Sequence, residues 1–90
     1  MTVRCEIGVK GIVQGVGFRY YVLQRARLLN VTGFVRNREN DSVEIIIEGD
    51  RSLIEEMLKF VKTGPSGSRV EEMNVVWKKF TGSFQTFEIR

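Results

Sequence analysis

The sequence predicts an α+β fold in which an antiparallel sheet of four to five strands carries two helices on one face. Three observations predict this class. Apolar and polar residues alternate in several short segments, which is the pattern of half-buried strands. Two other segments repeat apolar residues every three or four positions, as helices with one buried face do. These segments follow one another as strand, helix, strand, strand, helix, strand, and no repeat or linker divides residues 1–90, so we expect a single domain.

The first strand and the first helix lie on either side of a glycine-rich segment. Residues 3–10 alternate between apolar and polar or small side chains, which predicts a strand with Cys5 on its buried face. A helix is predicted after the glycines because apolar residues recur there at helical spacing: Phe18, Val22, Ala26 and Leu29. Asn30 follows, and asparagine tolerates the left-handed conformation in which helices commonly end.

A hairpin is predicted in the middle of the chain. Residues 31–37 form its first strand, residues 38–41 its turn and residues 43–48 its second strand, because a polar run separates two alternating segments. Glu44 and Glu48 fall on the polar face of the second of these strands. We therefore expect both carboxylates to be solvated.

A second helix is predicted after the hairpin from another apolar stripe, which consists of Ile54, Met57, Leu58 and Val61. Ser52 and Glu55 have the spacing of a capping box, and Asp50 is the competing N-cap. The helix is expected to end at Gly64 and Pro65, since glycine suits the residue past a helix and proline cannot continue one.

Two more strand segments complete the chain. The alternation over residues 70–77 slips in phase near Glu71, which a β-bulge would explain, and residues 84–90 form the last strand. The resulting order is that of the split βαβ or ferredoxin-like fold. This fold is used by enzymes, RNA-binding modules and regulatory modules, so it does not decide the function.

The composition excludes several kinds of site. The chain has no histidine, which rules out a histidine base or ligand, and its one cysteine rules out an internal disulfide or a cysteine cluster for a metal. The net charge of +3 suits an anionic ligand but is small for a dedicated nucleic-acid binder. No run approaches the ~20 apolar residues of a membrane span, and residues 1–6 carry charges where a signal peptide would be apolar. We expect a cytoplasmic protein that binds neither nucleic acid nor membrane.

The glycine-rich segment before the first helix is the most informative part of the sequence. Three glycines within residues 11–17 allow backbone N–H groups to converge on one anion at a helix N-terminus, where Arg19 could add a bidentate contact. Two familiar phosphate loops do not fit, because the Gly-Lys-Ser/Thr of a Walker loop is absent and Tyr20 stands where a dinucleotide fingerprint needs glycine. A glycine-rich turn beside a surface arginine is the alternative interpretation.

Two motifs together resemble the acylphosphatase family. Residues 11–19 read Gly-Ile-Val-Gln-Gly-Val-Gly-Phe-Arg and resemble the family signature Gly-x-Val-Gln-Gly-Val-x-Phe-Arg. Residues 33–37, Gly-Phe-Val-Arg-Asn, followed by Ser-Val-Glu at residues 42–44, are similar to the second signature. The family's usual Asp-Gly turn is replaced here by Asn40 and Asp41, which leaves the turn type open.

The resemblance implies an enzyme that hydrolyses the carboxyl-phosphate bond of acyl phosphates. We expect the phosphate it releases to inhibit it, because the group that binds the substrate's phosphate also holds the product. It implies that Arg19 binds the phosphate and that Asn37 positions the attacking water. It further implies a phosphate-binding loop made by the backbone of Gly11, Ile12, Val13, Gln14, Gly15 and Val16. No metal or other cofactor is required, and we expect a monomer.

Two other functions remain open from the sequence. An RNA-binding module would share the fold, and residues 33–35 faintly resemble an aromatic ribonucleoprotein motif, but residues 43–48 are acidic and aliphatic where that motif is basic and aromatic. A non-catalytic module that binds acyl or carbamoyl phosphate is the third possibility.

Overall fold

The computed structural model describes residues 1–90 and contains two helices and five strands. In chain order the elements are β1 (Thr2–Ile12), α1 (Phe18–Leu28), β2 (Thr32–Asn37), β3 (Val43–Asp50), α2 (Arg51–Thr63), β4 (Arg69–Lys79) and β5 (Phe87–Ile89). Both helices lie on one face of the sheet. The predicted ferredoxin-like α+β fold is confirmed.

The sheet has the strand order β4-β1-β3-β2-β5, and its first four strands are antiparallel. The prediction of a wholly antiparallel sheet is wrong for β5, which pairs with β2 in parallel. β4 ends beside Val3, at the end of the sheet where β1 and β2 begin. Residues 80–86 cross that end and enter β5 in the direction of β2. The crossing uses residues 84–86, so β5 is shorter than the expected strand over residues 84–90.

The core lies between the sheet and the helices. Most of its sixteen buried residues come from alternate positions of the strands and from one face of each helix, and two come from the segments next to β1 and β2. They are Cys5, Ile7, Val9, Val13, Phe18, Val22, Ala26, Val31, Val35, Val43, Ile45, Ile47, Ile54, Met57, Val61 and Phe87. The total accessible surface is 5387 Å². Area scaling for a chain of this size gives about 5,400 Å², so the protein exposes as much surface as an ordinary folded domain of its mass.

Glu48 is fully buried, which corrects the expectation that it is solvated. Its carboxylate accepts hydrogen bonds from the Thr81 and Gly82 N–H groups at 3.0 Å and from the Thr81 hydroxyl, and Arg4 contacts it at 3.2 Å. The crossing over residues 80–86 covers this position of β3. A local alternation cannot reveal such a cover, because the covering residues are more than thirty positions away.

The predicted left-handed residue after α1 and the predicted bulge in β4 are both confirmed. Asn30 has φ 55° after α1. The turn type of the hairpin, which is open from the sequence, is type I′, because both central residues, Asn40 and Asp41, have positive φ, of 60° and 58°. The bulge in β4 leaves Glu71 without a partner, because Lys10 pairs with Glu72 while the next residue of β1 pairs with Val70.

The N-terminus of α2 settles the choice between the two predicted caps. Asp50 is the N-cap, and its carboxylate accepts from the Ser52 N–H at 2.9 Å. Gly64 follows the helix with φ 68°, as expected.

Candidate active site

One end of the sheet brings the two predicted motifs together. Val9 of β1 pairs with Val43 of β3, and Val43 also pairs with Asn37 of β2. Because β3 is antiparallel to both neighbours, β1 and β2 end at the same edge of the sheet. The end of the glycine-rich segment, which follows β1, and the hairpin, which follows Asn37, therefore lie at one edge.

The glycine-rich segment is partly strand and partly loop. Gly11 and Ile12 are the last residues of β1, and the loop proper spans residues 13–17. Val13 is buried and fixes the loop to the core. Gly15 and Gly17 have φ 73° and 76°, which are left-handed values that glycine adopts without strain.

Gly11 serves a different purpose from the loop glycines. It faces the β4 bulge with φ 133°, and a side chain there would overlap the Arg69 carbonyl. A glycine is therefore needed at this position so that β1 and β4 can approach closely. The motif alone does not show whether this glycine serves strand packing or anion binding.

The loop leaves a run of backbone donors free at the start of α1. The N–H groups of residues 13–20 donate to no backbone carbonyl, and the first that does is that of Tyr21, to Gly17 at 3.0 Å. The N-cap is Gly17, which offers no side-chain cap, and the first turn has no acidic residue. Free N–H groups and the positive end of the helix dipole together favour an anion at this position.

Arg19 lies in the first turn of α1, beside these free donors. Its side chain is partly buried and forms none of the salt bridges that engage most other arginines of the chain, such as Arg4, Arg36 and Arg38. Its guanidinium thus remains available to an external anion.

Asn37 ends β2 and is exposed, and its side-chain amide makes no hydrogen bond within the chain. It does not bind the hairpin backbone, as a purely structural residue at a strand end would. Asn37 lines an open depression with no apolar side chain, whose cations are Lys10, Arg36 and Arg38. The surroundings of the amide are polar and accessible to water.

Gln14 provides a contact that sequence reasoning missed. Its side-chain Nε2 donates to the Arg38 carbonyl at 3.0 Å and to the Ser42 carbonyl at 2.8 Å, so the loop is tied to the hairpin next to Asn37. The motif includes Gln14, but no local pattern indicates that its partners lie 24 and 28 residues away.

Two other groups, Cys5 and Glu44, are reactive side chains by type, but their surroundings leave neither of them free to act as a nucleophile or a base. Cys5 is fully buried, and burial raises the pKa of its thiol to about 11, so it carries no reactive thiolate at neutral pH. Both oxygens of Glu44 face guanidinium groups, at 2.6 Å from Arg36 and 3.5 Å from Arg38. Acidic and thiol side chains nowhere gather in threes as metal ligands do.

Comparison with known proteins identifies the family. The family model for acylphosphatase matches residues 5–89. An acylphosphatase of Moorella thermoacetica is 46% identical over 88 residues, which are 98% of this chain and 94% of that protein. The chain belongs to the acylphosphatase family. It is accordingly an enzyme, and family and fold support the hydrolysis of acyl phosphates.

Solved acylphosphatase structures agree with this membership. The crystal structure of acylphosphatase from Bacillus subtilis superposes with a TM-score of 0.94 at 34% identity and covers 98% of each chain. Full-length HypF in its phosphate- and nucleotide-bound form contains a similar part, with a TM-score of 0.87 and 30% identity over 12% of that larger protein. Neither helix of the present chain has the length and apolar character needed to cross a membrane.

Proposed function

We propose that the enzyme cleaves the carboxyl-phosphate bond of acyl phosphates by attack of a water molecule on phosphorus. The run of free N–H groups at the start of α1, with the uncommitted Arg19 beside it, is the observation that carries this proposal. It provides donors for a tetrahedral anion where the chain itself supplies no acceptor.

The loop and Arg19 bind the phosphoryl group. Of the expected loop over residues 11–16, the free backbone N–H groups of residues 13–16 donate to the phosphoryl oxygens, and the fork of Arg19 adds a bidentate contact. Negative charge is spread over these oxygens in the transition state, so donors fixed in advance lower the barrier without reorganising. The same contacts hold the released phosphate, which therefore inhibits the enzyme.

Asn37 positions the water. Its side-chain carbonyl oxygen accepts a hydrogen bond from the water and directs a lone pair at phosphorus, but an amide cannot remove a proton at neutral pH. The oxygen–phosphorus bond to water forms as the bond between phosphorus and the acyl oxygen breaks. The carboxylate leaves with the electron pair, and the water's proton passes to a phosphoryl oxygen of the substrate or to solvent.

No metal or histidine is needed in this scheme, because a carboxylate is a good leaving group and needs little protonation. Positioning and charge stabilisation are the main requirements of phosphoryl transfer. We also propose that the enzyme acts as a cytoplasmic monomer, since all groups of the site come from one chain and its single cysteine is free and buried.

The alternative of an RNA-binding module has little support. RNA-binding domains of this fold stack bases on aromatic side chains of the central strands. The central strands here are β1 and β3, and neither contains an aromatic residue. Phe34 on the neighbouring strand instead packs edge-on against Phe84, with 5.8 Å between the ring centroids.

The test is phosphate release from benzoyl phosphate by the wild type, by Arg19→Gln and by Arg27→Gln. Arg27 is the matched control because it is an exposed arginine in the last turn of the same helix. We expect the wild type to release phosphate. In Arg19→Gln, kcat should fall by a factor on the order of 10²–10³, and inhibition by inorganic phosphate should weaken. Arg27→Gln should match the wild type.

Two results would overturn the proposal. Absence of turnover by the wild type, with phosphate still bound, would favour a non-catalytic phosphate-binding module. Near-full turnover of Arg19→Gln at saturating substrate would show that Arg19 does not bind the phosphoryl group in the reaction.

A further inference from the structure

Gln14 belongs to the loop by its backbone and to the hairpin by its side chain. Its N–H is one of the free donors of the loop. Both hydrogens of its Nε2 have acceptors, the Arg38 carbonyl at 3.0 Å and the Ser42 carbonyl at 2.8 Å. A primary amide nitrogen has only two hydrogens, so this group has none left for a phosphate oxygen.

The two carbonyls that Gln14 contacts close the base of the hairpin. The Arg38 N–H donates to the Ser42 carbonyl at 2.8 Å, so Nε2 binds the two residues that also bind each other. The turn between them is built from Asn40 and Asp41, both with positive φ. The Gln14 side chain thus binds the hydrogen-bonded base of the hairpin rather than its exposed tip.

No other hydrogen bond joins the loop to this hairpin. Residues 13–17 form only one hydrogen bond besides the two of the Gln14 side chain: the Gly17 carbonyl accepts from the Tyr21 N–H of α1. Asn37 directly precedes Arg38, and its own side chain has no partner that fixes it. Beyond the pairing of β1 and β2 through β3, the Gln14 side chain is thus the one direct hydrogen-bonded link between the loop donors and the hairpin that follows Asn37.

We infer that Gln14 is a positioning residue that sets Asn37, and with it the attacking water, relative to the phosphate held by the loop. This inference rests on the proposed function, since it assigns a role within the same reaction. Misplacement of a reacting group by about 1 Å costs on the order of 10² in rate, so a lost clamp should affect turnover more than phosphate binding.

The first experiment separates turnover from binding. Gln14→Met keeps the size of the side chain but has no donor, and it leaves the backbone N–H in place. With benzoyl phosphate we expect kcat to fall at least tenfold, whereas the inhibition constant of inorganic phosphate changes less than about threefold. A thermal melt of the same variant reports whether it is folded.

The second experiment uses pH to restore one hydrogen bond. In Gln14→Glu the ionised carboxylate faces two carbonyl oxygens, whereas the protonated carboxyl can again donate to one of them. We expect the kcat of this variant to rise several-fold as the pH is lowered from 7.5 to 5, because its carboxyl group becomes protonated. Gln24→Glu, a substitution at an exposed position of α1, adds the same charge and should follow the wild type.

The inference is wrong if Gln14→Met retains kcat within about twofold. It is also wrong if Gln14→Met loses phosphate affinity as strongly as kcat, because the side chain would then shape the anion loop instead, or if Gln14→Glu follows the pH profile of Gln24→Glu. Turnover by the wild type tests the proposed function separately, so the two failures are distinguishable.

Discussion

Arg19 and Asn37 are uncommitted polar side chains at one end of the sheet, and their chemical difference suits them to the different tasks proposed for them. A guanidinium is a permanent cation with a planar fork of donors, which suits a phosphoryl group. An amide is neutral and offers one acceptor oxygen, which suits a water molecule. We therefore predict that both residues affect kcat, but that only Arg19 also affects the inhibition constant of inorganic phosphate.

The prediction for Asn37 is a loss of turnover with little loss of binding. Asn37→Ala should lower kcat on the order of 10²-fold, because the water is no longer directed at phosphorus. Inhibition by inorganic phosphate should change little, since the loop and Arg19 are intact. Steady-state kinetics with phosphate as inhibitor measures both. A variant that binds phosphate poorly yet turns over normally would contradict the role of Asn37.

At the scale of secondary-structure elements, the crossing over residues 80–86 depends on one buried carboxylate. Burial alone would raise the pKa of Glu48, but hydrogen bonds from Thr81, Arg4 and Gly82 outweigh it and hold that pKa below its ordinary value. The carboxylate thus links β3 to the segment that leads into β5.

The depressed pKa of Glu48 has a defined consequence for stability. Its stabilising effect is present above the ordinary glutamate pKa of about 4.3 and is lost as the pH falls through the lower pKa of the folded state. Glu48→Gln should be less stable than the wild type by about 2–4 kcal/mol at neutral pH. It should also lose less additional stability between pH 5 and pH 2.

Urea unfolding at several pH values measures this effect. Glu56→Gln is the control, because Glu56 is an exposed acid on α2. Equal acid sensitivity of Glu48→Gln and the wild type would mean that another carboxylate governs the acid transition.

The sequence predicts those elements whose cause is local. The alternation in β1 and β3, the stripe on α2 and the glycine that follows it are visible within a few residues. The parallel β5 and the burial of Glu48 both depend on the path of residues 80–86, and the Gln14 clamp depends on partners 24 and 28 positions away. Such non-local contacts leave no period in the sequence.

For the molecule as a whole, the proposed mechanism contains no enzyme group that ionises near neutral pH. Arginine stays charged, amides do not titrate, and burial raises the pKa of Cys5 to about 11. We expect kcat to be nearly constant from about pH 5.5 to 7.5, unchanged by a chelator and largely unchanged in Cys5→Ala. A pH–rate profile of both proteins with chelator present is the measurement. A steep limb near pH 6.5 would indicate a base that the proposed mechanism omits.

The central claim is that water attacks phosphorus, and oxygen-18 labelling tests it most directly. Benzoyl phosphate is hydrolysed by the wild type in H₂¹⁸O, and the phosphate and benzoate formed are analysed by mass spectrometry. Attack on phosphorus places the label in phosphate, because the bond between phosphorus and the acyl oxygen is the one that breaks. We therefore expect one labelled oxygen in each phosphate and none in benzoate. Label in benzoate would show attack on the carbonyl carbon and would contradict the roles given to Arg19, Asn37 and the loop.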